Sequence, residues 1–205
     1  MNLEEHAQTL ETQGHVVIDH FLSATELKSM IDDYERLKRV GHFKKASIGK
    51  GNEHQLNEKI RNDETHWLEP AALTASQKML WNKLEAFKQV LNQHFFLGLW
   101  TLEGHYAYYP AGGKYDAHLD RFSNDDARTI SMVLYLNQNW NPDNGGELRI
   151  HHQNQEAPPI DIKPLGGRLV CFFSADVLHE VLPAKKERMS FAGWWKRRSG
   201  ENDLF

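Results

Sequence analysis

His118, Leu119 and Asp120 set an imidazole and a carboxylate two residues apart, and a second imidazole, His179, follows far downstream. Two imidazoles and one carboxylate can occupy one face of an octahedral ion. The opposite face then stays open for a co-substrate and oxygen, as in non-haem Fe(II) sites. On a strand, residues 118 and 120 point to the same side, so one short segment offers two ligands and the third arrives from elsewhere in the fold. Arg188 adds a cation whose planar fork suits a carboxylate. Each part has a plainer explanation: a His-x-Asp at the surface near a turn, or a histidine hydrogen-bonded in the core. Only the joint pattern is specific.

The elements that must position these groups fall into two halves. Up to about residue 95 the chain reads as mostly helical. Leu3 to Thr12 forms a short helix closed by Gly14, and His15 to Asp19 reads as a strand. Ser23-Ala24-Thr25-Glu26 is a capping box that opens a helix carrying Leu27, Met30, Ile31, Tyr34 and Leu37 on one stripe. A further helix, from about Ser76 to Gln93, carries Met79, Leu80, Leu84, Phe87, Val90 and Leu91 at helical spacing. Between those helices, Gly41 to Glu69 is long, polar and irregular, with Gly49 and Gly51 inside it. Such a stretch is either a surface loop or a cover over a site.

From Leu97 onward short strand signals take over: Leu102 to Tyr109, Ser131 to Leu136, Glu147 to Ile150, Ile160 to Ile162, Arg168 to Phe173 and Ser190 to Lys196. Pro110-Ala111-Gly112-Gly113 and Asn144-Gly145-Gly146 punctuate them. The expectation is an α+β fold: a jelly-roll core over about 96–198, with N-terminal helices from about 1–95 packed on one sheet, forming a single domain over 1–205.

Composition narrows the function. With 40% hydrophobic and 25% charged residues and a net charge of -4, the chain reads as an ordinary globular protein without the basic footprint of a nucleic-acid binder. The single cysteine, Cys171, lies among Leu169, Val170, Phe172 and Phe173, which points to a buried, inert thiol and excludes a thiolate cage. Met1 to Gly14 lacks the apolar core of a signal peptide, and no segment reaches membrane-spanning length. The expectation is a cytoplasmic protein with no nucleic-acid or membrane partner, monomeric or weakly dimeric.

The run Tyr109-Pro110-Ala111-Gly112-Gly113-Lys114-Tyr115-Asp116-Ala117-His118-Leu119-Asp120 resembles the iron-binding segment of the prolyl-hydroxylase branch of 2-oxoglutarate- and Fe(II)-dependent dioxygenases. Tyr135-Leu136-Asn137 with Trp140 extends the likeness, as do Gly145 to Ile150 and Gly167 to Phe173 leading to His179-Glu180-Val181 and Arg188. It covers roughly residues 55 to 198, including Ile60-Arg61-Asn62-Asp63 and Trp67-Leu68-Glu69, and is greatest toward the hydroxylases of hypoxia-inducible factor and their bacterial counterparts.

The resemblance implies roles. His118, Asp120 and His179 would bind Fe(II). Arg188 would pair with the distal carboxylate of 2-oxoglutarate, and Tyr135 would donate to the same group. Tyr109 would sit near the metal-binding end of the co-substrate, although it stands one place nearer the first iron histidine than its animal counterpart. Tyr115 and Trp194 would line the pocket beside the iron, with Val133, Leu148 and Phe173 as apolar walls. Arg128, Arg61 and Asp63 would form a salt bridge that fixes the loop or would touch substrate, with Trp67 nearby. From the residues alone, Arg188 could instead pair with Glu187 at the surface, and Tyr135 and Trp194 could be core aromatics.

The implied chemistry consumes O2, converts 2-oxoglutarate to succinate and CO2, and hydroxylates a substrate C–H bond at the iron, with ascorbate as an accessory reductant. The implied substrate is a prolyl residue in an exposed loop of another protein, with a translation factor such as elongation factor Tu as one class. The alternatives are a free amino acid, another side chain or a small metabolite, and, from a different class, a non-catalytic jelly-roll binding module.

Overall fold

The computed structural model describes residues 2–47, 57, 59–121, 127–152 and 157–198. Much of the expected covering loop, including Gly49 and Gly51, lies outside the described residues.

The helices begin and end where local chemistry dictates. Helix α1 (Leu3–Gln13) stops at Gly14, whose φ of 72° lets its N–H turn back to the Leu10 carbonyl. Helix α2 (Ala24–Arg39) opens on a capping box: the Ser23 hydroxyl accepts from Glu26 N–H, and Ser23 N–H donates to the Glu26 carboxylate. Helix α3 (Ala75–Phe95) repeats the device with Thr74 and Gln77. The expected stripe of α2 is buried at Met30, Ile31, Tyr34 and Leu37, and that of α3 at Leu80, Leu84, Phe87 and Leu91.

Eleven strands are described: β1 (His15–Ile18), β2 (Lys44–Lys45), β3 (Glu64–Trp67), β4 (Leu99–Tyr109), β5 (Tyr115–His118), β6 (Arg128–Tyr135), β7 (Leu148–Ile150), β8 (Ile160–Ile162), β9 (Leu169–Phe173), β10 (His179–Val181) and β11 (Arg188–Arg197). They form a seven-stranded sheet, β1-β9-β6-β11-β4-β3-β2, and a four-stranded sheet, β5-β10-β7-β8, with antiparallel neighbours throughout. The two sheets face one another as a double-stranded β-helix. Thus the stretch Gly41 to Glu69 is less irregular than its composition implies, since it contributes β2 and β3 to the edge of the larger sheet.

Side-chain alternation divides the large sheet into two surfaces. Ile130, Met132 and Leu134 of β6, Leu169 and Cys171 of β9, and Phe191 and Trp195 of β11 join the helices in one buried cluster. Their neighbours on the other face, Tyr135, Val170 and Phe172, meet Leu148, Ile150, Ile162 and Val181 of the small sheet in a second cluster. A buried carboxylate fastens the helices to the sheet: Asp33 of α2 accepts from Gln77 of α3 at 2.8 Å and from the Tyr106 hydroxyl of β4 at 3.0 Å. Cys171 is fully buried, and burial pushes its thiol well above the ordinary range, as expected of an inert cysteine.

Candidate functional site

The inward face of the large sheet and the small sheet enclose a cavity of about 800 Å³. The small sheet supplies its metal-binding chemistry. Strands β5 and β10 pair antiparallel with His118 directly opposite His179, so the two imidazoles emerge side by side, with ring centroids 4.3 Å apart. Asp120 joins them differently from the strand argument. β5 ends at His118, and Asp120 lies in the bend that follows, with its carboxylate near both rings. Its oxygens lie 3.5 Å from His118 Nε2 and 3.7 Å from His179 Nε2. Among the described residues this is the one group of three or more such side chains whose ligand atoms converge, all within 4.8 Å.

The donors are prepared for a metal. His118 Nδ1 lies 2.8 Å from the Asp116 carbonyl and His179 Nδ1 lies 3.0 Å from the Val177 carbonyl. Each contact favours the proton on Nδ1 and leaves the Nε2 lone pair facing Asp120. Burial pushes the His179 pKa down to about 4, so the ring is neutral at pH 7. Burial alone would raise the Asp120 carboxyl, but the charge that the neighbouring His179 and His118 rings carry when protonated in acid outweighs it and holds the group well below the usual range. Bonds of about 2 Å to one ion would set adjacent octahedral donors about 3 Å apart. The two spacings from Asp120 to the histidines, 3.5 and 3.7 Å, lie close to that value. Two imidazoles and one carboxylate that converge in this way fit Fe(II).

The large sheet supplies a cation at the end of the cavity. Arg188 begins β11, is 1% exposed, and pairs in register with Tyr109 at the end of β4. Its Nε donates to the Gly146 carbonyl at 2.9 Å and one terminal nitrogen lies 3.4 Å from the Ser190 hydroxyl, while the other has no partner. The Tyr109 and Tyr135 rings flank the guanidinium at 5.0 and 5.1 Å. The Tyr135 hydroxyl is buried and also lacks a hydrogen-bond partner. Burial pushes its phenol upward, so it remains a donor. A buried, unpaired cation beside an unused hydroxyl donor fits one end of a small dicarboxylate.

Tyr109 stands beside Arg188 and also interacts with Tyr115, the residue stacked on His118, so it lines the cavity between the cation and the metal donors. Glu187 does not compete for Arg188: it accepts from the Tyr108 hydroxyl at 2.6 Å.

The opposite end is aromatic and charged. Trp67, His105 and Trp194 lie together, with ring centroids 4.6 Å apart for Trp67–His105 and 5.5 Å for His105–Trp194. The Arg128 guanidinium covers Trp194 at 3.7 Å and donates to Glu103, which also accepts from Lys196. Arg128 pairs with Glu103 and also donates to the Asp120 carbonyl at 3.5 Å, whereas Arg61 grips both oxygens of Asp63. Tyr115 lies against His118. Val133 and Leu148 line the cavity, but Phe173 does not. It packs in the helical cluster, 5.6 Å from the Phe95 ring. Sequence reasoning passed over His105 and Glu103, although both share the inward parity of Tyr109 on β4.

Residues 104–196 match the family model of the 2OG-Fe(II) oxygenase superfamily. The crystal structure of a Pseudomonas putida prolyl-4-hydroxylase superimposes with a TM-score of 0.86 at 36% identity, covering 96% of this chain and 100% of that one. The chain belongs to the 2OG-Fe(II) oxygenase superfamily. It is also similar to a Trichoplax adhaerens prolyl hydroxylase solved with a peptide fragment of the hypoxia-inducible factor oxygen degradation domain (TM-score 0.77, 25% identity, 95% of this chain and 90% of that one). A Caenorhabditis elegans hypoxia-inducible factor prolyl hydroxylase is 28% identical over 96% of this chain, which spans only 28% of the length of that relative. Oxygenases of this superfamily use Fe(II), 2-oxoglutarate and O2, and the convergent His118, Asp120 and His179 are consistent with that requirement. No helix among the described residues of this oxygenase is long and apolar enough to cross a membrane.

Proposed function

We propose that this oxygenase hydroxylates a prolyl residue in an exposed loop of a protein substrate, with a translation factor such as elongation factor Tu as a candidate class. The observation that carries the co-substrate chemistry is Arg188: a buried guanidinium with an unused donor beside the orphaned Tyr135 hydroxyl, in the same cavity as the His118–Asp120–His179 cluster. The prolyl substrate is supported by the likeness to the Pseudomonas putida and Trichoplax adhaerens hydroxylases.

In this reading His118, Asp120 and His179 hold Fe(II) through Nε2, carboxylate and Nε2. Arg188 and Tyr135 bind the far carboxylate of 2-oxoglutarate, and Tyr109 packs beside the guanidinium. This fixes the co-substrate's direction and neutralises its buried charge. Trp67, His105 and Trp194 wall the end where substrate enters and limit water there. The bound iron, co-substrate and O2 supply the oxidation that converts C–H to C–OH as 2-oxoglutarate becomes succinate and CO2.

The test starts with anaerobic addition of Fe(II) and 2-oxoglutarate, watching for the visible charge-transfer band of the chelate. The band should appear in wild type, vanish in His118→Ala and weaken in Arg188→Ala. Peptides with and without proline, assayed aerobically for a one-oxygen mass gain and succinate, then decide the substrate. A metal-replete wild type with no band would remove the oxygenase assignment of the site. Equal turnover of proline-free peptides would remove the prolyl substrate.

A further inference from the structure

The chain before β3 is fastened directly onto the metal-bearing strand β5. Arg61 bridges Tyr115 in antiparallel fashion, Asp116 N–H donates to the Ile60 carbonyl at 2.9 Å, and Lys114 N–H donates to the Asn62 side chain at 2.8 Å. The side chains continue the connection toward the metal donors. Asp63 is 1% exposed and accepts two hydrogen bonds from Arg61, at 2.7 and 2.6 Å. The Arg61 guanidinium lies over the Tyr115 ring, 4.3 Å from its centroid. Tyr115 in turn stacks on the His118 imidazole, with centroids 3.7 Å apart and an interplanar angle of 17°.

We propose that Asp63, Arg61 and Tyr115 form a positioning stack that sets the plane of His118, and with it the affinity and ligand field of the iron. The proposal rests on the reading of His118 as an iron ligand. The contact of His118 Nδ1 with the Asp116 carbonyl fixes one atom of the ring but leaves its tilt free. A parallel aromatic face removes that freedom. The cation holds the tyrosine from behind, and the two-pronged ion pair holds the cation in a defined plane. Asp63 has a second effect: it neutralises a guanidinium that would otherwise repel a divalent ion across the thickness of one ring. Partners that orient a metal ligand commonly change metal affinity by about 10- to 100-fold when removed.

The experiment is an anaerobic titration with Co(II), whose visible bands report both occupancy and ligand field, on folded protein checked by circular dichroism. Tyr115→Leu should weaken Co(II) binding by about 10- to 100-fold and shift the bands. Tyr115→Phe should restore both, because the ring carries the effect. The double variant Arg61→Gln, Asp63→Asn removes the ion pair without leaving a buried charge, and should weaken binding several-fold with a band shift of the same sign.

Wild-type affinity and spectrum in folded Tyr115→Leu would overturn the proposal, as would failure of Tyr115→Phe to restore them. If Tyr115→Leu does not fold, an unchanged Co(II) titration in the double variant has the same force. A wild type that binds no Co(II) overturns the metal-site reading itself and the proposal with it. That result is distinguishable from a wild type that binds and variants that match it.

Discussion

Replacing Tyr135 by phenylalanine should move the metal-free protein and its co-substrate complex in opposite directions. The ring is wholly buried between the sheets, and its hydroxyl has no hydrogen-bond partner although the Arg188 guanidinium carbon lies 5.1 Å from the ring centroid. A buried polar group left unsatisfied costs about 1–3 kcal/mol. Phenylalanine keeps the ring and its packing and removes that cost, so the metal-free fold should gain roughly 1 kcal/mol, seen as a rise of about 2–4 °C in melting temperature. On the proposed reading the hydroxyl donates to a carboxylate of bound 2-oxoglutarate, and a hydrogen bond to a charged group contributes about 1.5–3 kcal/mol. Its loss should weaken 2-oxoglutarate binding by about 10- to 100-fold. Thermal melts of metal-free protein measure the first effect, and anaerobic titration of 2-oxoglutarate into the Fe(II) form, followed by the charge-transfer band, measures the second. A Tyr135→Phe protein that melts lower and binds 2-oxoglutarate like wild type would show that the hydroxyl serves the fold, and the argument from orphaned donors would fall.

Two other perturbations probe the surroundings. Gly146 has a φ of 73°, and an added Cβ would lie 2.9 Å from the Ala184 Cβ and 3.3 Å from the Arg188 Cδ; Gly146→Ala should therefore cost about 2 kcal/mol of stability and displace Arg188. Melting should show the loss, and 2-oxoglutarate binding should weaken several-fold while Co(II) affinity without co-substrate stays unchanged. For pH, burial lowers His179 from 6.5 to about 4 and His105 from 6.5 to about 3, so the fold keeps both rings neutral while the unfolded chain protonates near 6.5. Their contribution to stability is complete above pH 6.5 and is lost as pH falls toward 4 and 3, with a slope of up to about 1.4 kcal/mol per pH unit for each. Metal-free melts should be level above about pH 7 and decline below; His105→Gln should make the decline shallower, and an identical pH profile would contradict the burial argument.

What could be read in advance divides along physical lines. Helices α2 and α3 were legible because a capping box and an apolar stripe are local, encoded within a few residues of one another. The long strands β4, β6, β9 and β11 were legible for the same reason. Strands β3, β5 and β10 are no shorter than β7 and β8, which the sequence does show, but they and the still shorter β2 are made largely of polar and site residues, so no apolar run or alternation marks them. Asp120 shows the same limit. Parity on a strand would put it beside His118, but β5 ends at His118 and Asp120 lies in the bend beyond it. The choice between Glu187 and an internal ligand for Arg188 was open from residue types alone. It closed once β11 had a register, because adjacent residues at the head of that strand face opposite sides. His105 was within reach of the same parity argument, since it stands four residues before Tyr109 on β4.

The division of labour between the sheets explains why the site needs so much of the fold. Both metal-binding imidazoles come from one pair of short strands in the small sheet, whereas Arg188, Tyr109, Tyr135 and Trp194 all stand on the large one. The distance between the metal donors and the cation is therefore a distance between sheets, and no local turn can set it. What sets it is the packing of Leu148, Ile150, Ile162 and Val181 against Val170, Phe172 and Tyr135. Phe172 takes part twice, since its ring also lies 4.6 Å from His179. Close-packed interiors resist changes of even one methylene. On the proposed reading, an apolar cluster with no chemistry of its own therefore sets the span between the metal donors and Arg188 that the co-substrate would bridge.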